Sequence, residues 1–132
     1  MKYIDTNIFI NAILYDDEKA ERCKEILKKI IEEKIMGCTS FLSWDELVHI
    51  IKKNKDRNIA IIEGEKFLKF PNLSFIELNQ SVANKAQEMI SKYNLGPRDA
   101  FHIASALSKD VKEIISDDSD FDKVNEIKRI KV

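Results

Sequence analysis

Short apolar segments alternate with longer amphipathic segments along the whole chain, and this alternation is the feature that most limits its fold. The short segments resemble strands buried on both faces, and the longer ones carry apolar residues at the 3.6-residue spacing of a helix. Strands that alternate with helices favour a parallel sheet covered by helices on both faces. A chain of 132 residues has the length of one domain. The sequence therefore predicts a single α/β domain, a three-layer α/β/α sandwich with a short parallel central sheet.

The element boundaries follow from apolar periodicity, capping residues and proline positions. Five strands are predicted, at residues 2–5, 35–38, 73–78, 113–116 and 127–132. Helical segments are predicted directly after the first strand, at 16–34, after a cap at Thr39 or Ser40, at 56–70, from Asn79 or Ser81 to Tyr93, at 97–109 and, as a brief turn, at 118–123.

Charge and cysteine content exclude several classes of function. Lys plus Arg number 22 against 23 Asp plus Glu, so net charge alone does not attract nucleic acid. Cys23 and Cys38 form no CxxC pair, and we expect both to be buried apolar residues. No apolar run approaches the length of a membrane span, and the first residues do not resemble an apolar leader. We therefore expect a cytoplasmic protein without membrane contact.

Four acidic residues lie at positions that favour a common site. Asp5 ends the first predicted strand, Asp118 follows the fourth, and Asp99 lies in the first turn of a helix. Glu46 lies on another helix, beside its apolar stripe. Ligands of parallel sheets bind at the carboxyl ends of the strands, and clustered carboxylates repel unless a cation neutralises them. Oxygen ligands favour Mg²⁺ or Mn²⁺ over Zn²⁺. Such ions hold phosphates and activate water, so the predicted reaction is phosphodiester hydrolysis.

Four motifs contain these acids in order. They read Ile-Asp-Thr-Asn at 4–7, Trp-Asp-Glu-Leu at 44–47, Arg-Asp-Ala-Phe-His-Ile-Ala-Ser-Ala at 98–106 and Ser-Asp-Asp-Ser-Asp-Phe at 116–121. In order, spacing and predicted elements they resemble the motifs of PIN domains across essentially the whole chain. The resemblance implies a PIN-like sheet of about four or five parallel strands between helices, and a metal-dependent ribonuclease. A PIN domain of this size is also similar to the VapC-like toxin of a VapBC-type toxin–antitoxin pair.

The resemblance assigns roles to the four acids. Asp5, Glu46, Asp99 and Asp118 are the implied catalytic and metal-binding residues. Asp5 and Asp99 are the expected direct ligands of Mg²⁺ (or Mn²⁺), and Asp118 completes the site. Glu46, preferred over its neighbour Asp45, is expected to bind the metal through water or to position the attacking water.

Five further residues are second-rank candidates. Asp120 falls where some family members carry an additional acid. Thr6, Asn7 and Ser116 match small polar positions of the family, which brace the carboxylates or meet a phosphate oxygen. Arg98 has two interpretations, a phosphate contact or an ion pair with a motif acid.

Partners and alternatives follow from the same resemblance. The expected partners are an RNA substrate, a cognate antitoxin with a segment over the acidic pocket, and a second copy of the chain in a homodimer. Two alternatives stay open: an RNA-processing PIN nuclease outside any toxin–antitoxin pair, and a catalytically silent PIN-like module that binds RNA or protein. His102 is expected to be a packed, hydrogen-bonded helix residue rather than a general base.

Phosphatases and receiver domains also carry an aspartate after the first strand of an α/β fold. A phosphatase of the haloacid dehalogenase type needs Asp-x-Asp there, where this chain has Asp5-Thr6-Asn7. A receiver domain needs a lysine after the last core strand, where this chain has Ser-Asp-Asp at 116–118. Neither class fits these positions.

Overall fold

The computed structural model describes all residues, Met1–Val132, and contains one sheet of five strands. Counted along the chain, the strands lie across the sheet in the order third, second, first, fourth and fifth. Every pair of neighbouring strands is parallel. The parallel sheet predicted from the alternation is therefore confirmed, with the first strand at its centre. The strands are β1 (Lys2–Ile4), β2 (Gly37–Ser40), β3 (Leu73–Ile76), β4 (Glu113–Ile115) and β5 (Lys128–Ile130).

Helices cover both faces of the sheet and enclose two apolar cores. Tyr3 and Ile4 are adjacent in β1, point to opposite faces, and belong to different cores. The core of Tyr3 contains buried residues of the last two helices, and the core of Ile4 contains buried residues of the first four helices. The three-layer arrangement is therefore confirmed. The helices are α1 (Thr6–Leu14), α2 (Glu18–Ile31), α3 (Leu42–Asn54), α4 (Arg57–Leu68), α5 (Gln80–Lys92) and α6 (Pro97–Ser108), with a 3₁₀ turn at Ser119–Lys123.

Capping residues define where several helices begin. The side chains of Asp17, Asp56 and Asn79 each accept a hydrogen bond from a main-chain N–H three residues later, at 2.8, 2.8 and 3.0 Å. These bonds satisfy donors that the first helical turn leaves unpaired. Pro97 occupies the first turn of α6, where its missing N–H costs nothing.

The second strand and the start of α3 correct the sequence prediction. The strand lies at Gly37–Ser40 rather than 35–38, so Thr39 and Ser40 are strand residues and not helix caps. The hydroxyl of Thr39 donates to a main-chain carbonyl of β1 at 2.9 Å. Helix α3 begins later, at Leu42. Pairing with both β1 and β3 satisfies the main chain here, and this long-range pairing outweighs the local capping tendency.

Two smaller expectations concern the cysteines and membranes. Cys23 and Cys38 are free, buried thiols in the two different cores, as predicted. None of the helices combines the length and the apolar character that crossing a membrane requires.

Candidate active site

Asp5 leaves the end of β1 and turns toward the neighbouring strand. It occupies the cap position of α1, but its side chain makes no capping hydrogen bond. Instead Oδ2 accepts a hydrogen bond from Oγ of Ser116, which follows β4, at 2.5 Å. Only 7% of Asp5 is exposed. Aspartate is common at helix caps, but the carboxylate of Asp5 does not cap α1. It is held instead at the carboxyl ends of β1 and β4.

Ser116 connects Asp5 to the acidic turn that follows β4. Its buried Oγ accepts a hydrogen bond from the main-chain N–H of Asp118 at 2.9 Å, and the amide of Asn7 approaches the same atom at 3.4 Å. The side chain of Asp118 in turn accepts from the N–H of Asp120 at 2.9 Å. Ser116 and Asn7 thus lie where they can brace the carboxylates.

Three carboxylates form a compact cluster beside this bridge. Oxygen atoms of Asp99, Asp118 and Asp120 all lie within 4.8 Å of one another. Asp120, a second-rank candidate from the sequence, is part of this cluster, whereas Asp5 and Glu46 lie outside it. Asp99 reaches the cluster from the first turn of α6, and the other two residues come from the 3₁₀ turn and its cap.

The electrostatics of the cluster favour a bound cation. Burial, followed by the charges of Asp118 and Asp5, raises the pKa of Asp99 to about 6. Burial also raises the pKa of Asp5, although His102 and the hydrogen bond from Ser116 oppose this. Full ionisation is therefore costly without a positive partner. The cluster offers carboxylate oxygens and no His or Cys ligand, so its residues fit a hard divalent cation such as Mg²⁺ or Mn²⁺.

Glu46 approaches the same region from α3. Its Oε1 accepts a hydrogen bond from Oγ1 of Thr6 at 2.8 Å and lies 2.5 Å from Nε2 of His102. Burial raises the pKa of Glu46, but the hydrogen bonds from His102 and Thr6 outweigh it, so the pKa lies below its ordinary value. Glu46 is therefore a carboxylate at neutral pH. Its neighbour Asp45 is exposed and makes no such contacts.

The other acids of the turn point away from the cluster. Asp117 pairs with Lys19 of α2 at 2.7 Å. Asp122 accepts two hydrogen bonds from the guanidinium of Arg129, at 2.8 and 2.9 Å. These two aspartates form ion pairs with neighbouring elements and are not part of the cluster.

Arg98 lies at the rim of the cluster without a carboxylate partner. It is exposed and forms no ion pair with a carboxylate. Together with Asp99, Asp45 and Phe101 it lines an open groove. Of its two interpretations, the structural ion pair is not observed.

His102 is the residue whose contacts the sequence does not reveal. It is buried and hydrogen-bonded in α6, as expected, but its partners are Glu46 and Tyr3. The sequence feature that places His102 near the site is its position three residues after Asp99, on the same face of a helix. Neither the motif nor the helical period indicates a contact with Glu46.

A parallel α/β sandwich with carboxylates gathered at the ends of its central strands defines the class of domain to which this chain belongs. A family model for the PIN domain matches residues 2–127, and the chain is a member of the PIN domain family. The resemblance seen in the four motifs is thereby confirmed.

Individual relatives agree with this membership. Ribonuclease VapC6 of Methanocaldococcus jannaschii is 28% identical, over 98% of this chain and 95% of the relative. Among solved structures, the sarcin–ricin loop cleaving toxin VapC20 of Mycobacterium tuberculosis superposes with a TM-score of 0.77, at 13% identity, over 92% of this chain and 93% of that one. The DNA-bound VapBC of Salmonella typhimurium gives 0.74 at 18% identity, over 99% and 98%. At these identities the structural matches establish the fold.

Proposed function

We propose that this protein is a Mg²⁺- or Mn²⁺-dependent endoribonuclease and the toxin component of a VapBC-type toxin–antitoxin pair. The observation that carries the proposal is the carboxylate cluster of Asp99, Asp118 and Asp120, bridged through Ser116 to the buried Asp5. A binding module needs no such costly concentration of partly buried negative charge. The ribonuclease and toxin–antitoxin relatives support the choice of RNA as substrate.

Each residue of the site has a proposed role that follows from its position. Asp5, Asp99 and Asp118 would hold the cation, and Asp120 is a further ligand candidate. A divalent ion held there would activate water and offset charge on the scissile phosphate. Ser116 keeps Asp5 oriented, and Glu46 is the carboxylate that positions the attacking water. Arg98 is free to contact a phosphate at the rim.

The nuclease proposal predicts cleavage that depends strictly on a divalent ion. Purified protein is expected to cut a mixed RNA pool with Mg²⁺ or Mn²⁺, to lose all activity with chelator, and to regain it when metal is returned. Attack of water on the phosphorus with departure of the 3′ oxygen leaves 5′-phosphate and 3′-hydroxyl ends, which adapter ligation and sequencing of the products detect. Chelator-resistant cleavage, or 2′,3′-cyclic phosphate products, would contradict this chemistry.

The toxin assignment predicts protein partners as well. An apolar groove between α1, α2 and α4, lined by Phe9, Ile13 and Phe67 among others, offers a surface that a protein segment can cover. Light scattering of the protein alone is expected to give a homodimer, and co-expression with the product of the adjacent gene is expected to give a larger, inactive complex. An active enzyme that ignores this product would instead support an RNA-processing nuclease.

A further inference from the structure

A chain of hydrogen bonds runs through the buried interior from the sheet to Glu46. The main-chain N–H of Ser40, at the end of β2, donates to the hydroxyl of Tyr3 at 3.1 Å. That hydroxyl lies 2.6 Å from Nδ1 of His102, and Nε2 of the same ring lies 2.5 Å from Oε1 of Glu46. Tyr3 is 0% exposed and His102 is 1% exposed. The chain is therefore shielded from solvent.

The carboxylate of Glu46 determines where one proton of this chain lies. A carboxylate can only accept, so Nε2 of His102 carries a proton and donates it to Oε1. This donor is present both in the neutral ring with its proton on Nε2 and in the imidazolium. At the other end of the chain, the N–H of Ser40 donates to the Tyr3 oxygen, and the Tyr3 hydroxyl contacts Nδ1.

We propose that Tyr3 and His102 are positioning residues that hold the carboxylate of Glu46 in place for RNA cleavage. Thr6 supplies a second donor to Oε1 at 2.8 Å, so two protein donors engage this oxygen. The other oxygen, Oε2, makes no hydrogen bond to the protein and is left for the attacking water or the cation. The kinetic part of this inference rests on the proposed nuclease function, whereas the proton positions are measurable without RNA.

His102 also packs against Tyr3, with ring centroids 5.6 Å apart at an angle of 65°. A large truncation would therefore damage the core and leave the positioning role untested. The useful variants keep polarity and approximate volume. His102→Gln places an amide nitrogen near the position of Nε2, whereas the shorter His102→Asn reaches only the position of Nδ1.

The kinetic test compares these two variants. His102→Asn is expected to lower kcat by about 10- to 100-fold, the range for residues that orient a ligand, with KM changed by less than about two-fold. His102→Gln is expected to recover most of kcat, because it can still donate to Glu46. In the Glu46→Gln background, His102→Asn is expected to add no further loss. Equal losses in both backgrounds, or an Asn variant as active as the Gln variant, would overturn the positioning role.

The chain offers a matched control for these substitutions. His49 is the other of the chain's two histidines, and it is exposed on α3, the helix that also carries Glu46. His49→Asn is expected to leave kcat and KM unchanged. A loss comparable with that of His102→Asn would attribute the effect to histidine replacement near α3 and would overturn the assignment.

The proton positions are tested by long-range ¹H–¹⁵N correlation spectra of the ¹⁵N-labelled protein at neutral pH. The signals of His102 are those that disappear in His102→Gln. The expected spectrum has a protonated Nε2, and Tyr3→Phe is expected to shift the Nδ1 resonance. A bare Nε2 would overturn the hydrogen-bond chain. A protein that cleaves no RNA under any metal condition would overturn the proposed function and leave this spectrum as the test of the chain.

Discussion

Asp5→Asn is expected to lower the rate of RNA cleavage by more than about a hundred-fold, because outer residues of metal sites already cost about 10- to 100-fold when mutated. Asp5 is the buried acid of the site, and the bond from Ser116 directs its carboxylate. An amide has the same shape but no charge, so the ion loses a strong ligand while packing is preserved. Initial rates with saturating Mg²⁺, together with calorimetric titration of Mn²⁺, measure both consequences.

The control for Asp5→Asn lies in the acidic turn itself. Asp117 is adjacent to Asp118 but pairs with Lys19 on the surface. Asp117→Asn removes the same charge a short distance from the cluster. It is expected to change the cleavage rate by less than about two-fold, because this carboxylate pairs with Lys19 and contributes no oxygen to the cluster. If both variants lose activity equally, general negative charge matters rather than ligation by Asp5.

Asp99→Asn is expected to stabilise the metal-free protein at neutral pH while it removes metal binding. Burial, followed by the charges of Asp118 and Asp5, raises the pKa of Asp99 from 3.8 to about 6. The folded state therefore holds a proton that the unfolded state releases at lower pH, and the wild type loses stability as the pH rises from about 4 to about 6. Such a shift corresponds to roughly 3 kcal/mol, which partial exposure and solvent screening reduce to about 1–2 kcal/mol. The neutral amide avoids this loss.

Thermal unfolding in chelator at several pH values tests this expectation. The variant is expected to have the higher Tm at pH values above about 6. The difference is expected to disappear as the pH falls below 3.8, where Asp99 of the wild type becomes protonated in the unfolded state as well. Addition of Mn²⁺ is expected to raise the Tm of the wild type and to leave that of the variant unchanged. A variant less stable than wild type at neutral pH would show that Asp99 contributes a structural bond rather than stored repulsion.

Local chemistry predicts much of this molecule. Asp17, Asp56 and Asn79 precede amphipathic segments and cap helices in the structure. The alternation of strands and helices predicts the parallel sheet, and the sheet brings Asp5 and Asp118 to neighbouring strand ends. Caps and the alternation of elements depend on interactions within a few residues, which is why a single sequence reveals them.

Long-range hydrogen bonds prevail over local capping at two positions. Thr39 has the chemistry of a helix cap, yet its hydroxyl bonds to β1, because β2 is paired on both sides. Asp5 lies at a cap position, yet its carboxylate bonds to Ser116. In both cases a partner that is distant in sequence replaces the local main-chain donor.

The order of elements was therefore set by the residues alone, through periodicity and capping, and the motif acids were predicted from the resemblance of the four motifs to those of PIN domains. The choice among the aspartates of the turn required the fold, since Asp117 pairs with a lysine of α2 and Asp122 with an arginine of β5, while Asp120 lies close to Asp99. The link from Tyr3 through a histidine 99 residues away required it as well. Contacts across such separations depend on how crossover connections stack the layers, and no local pattern encodes that geometry.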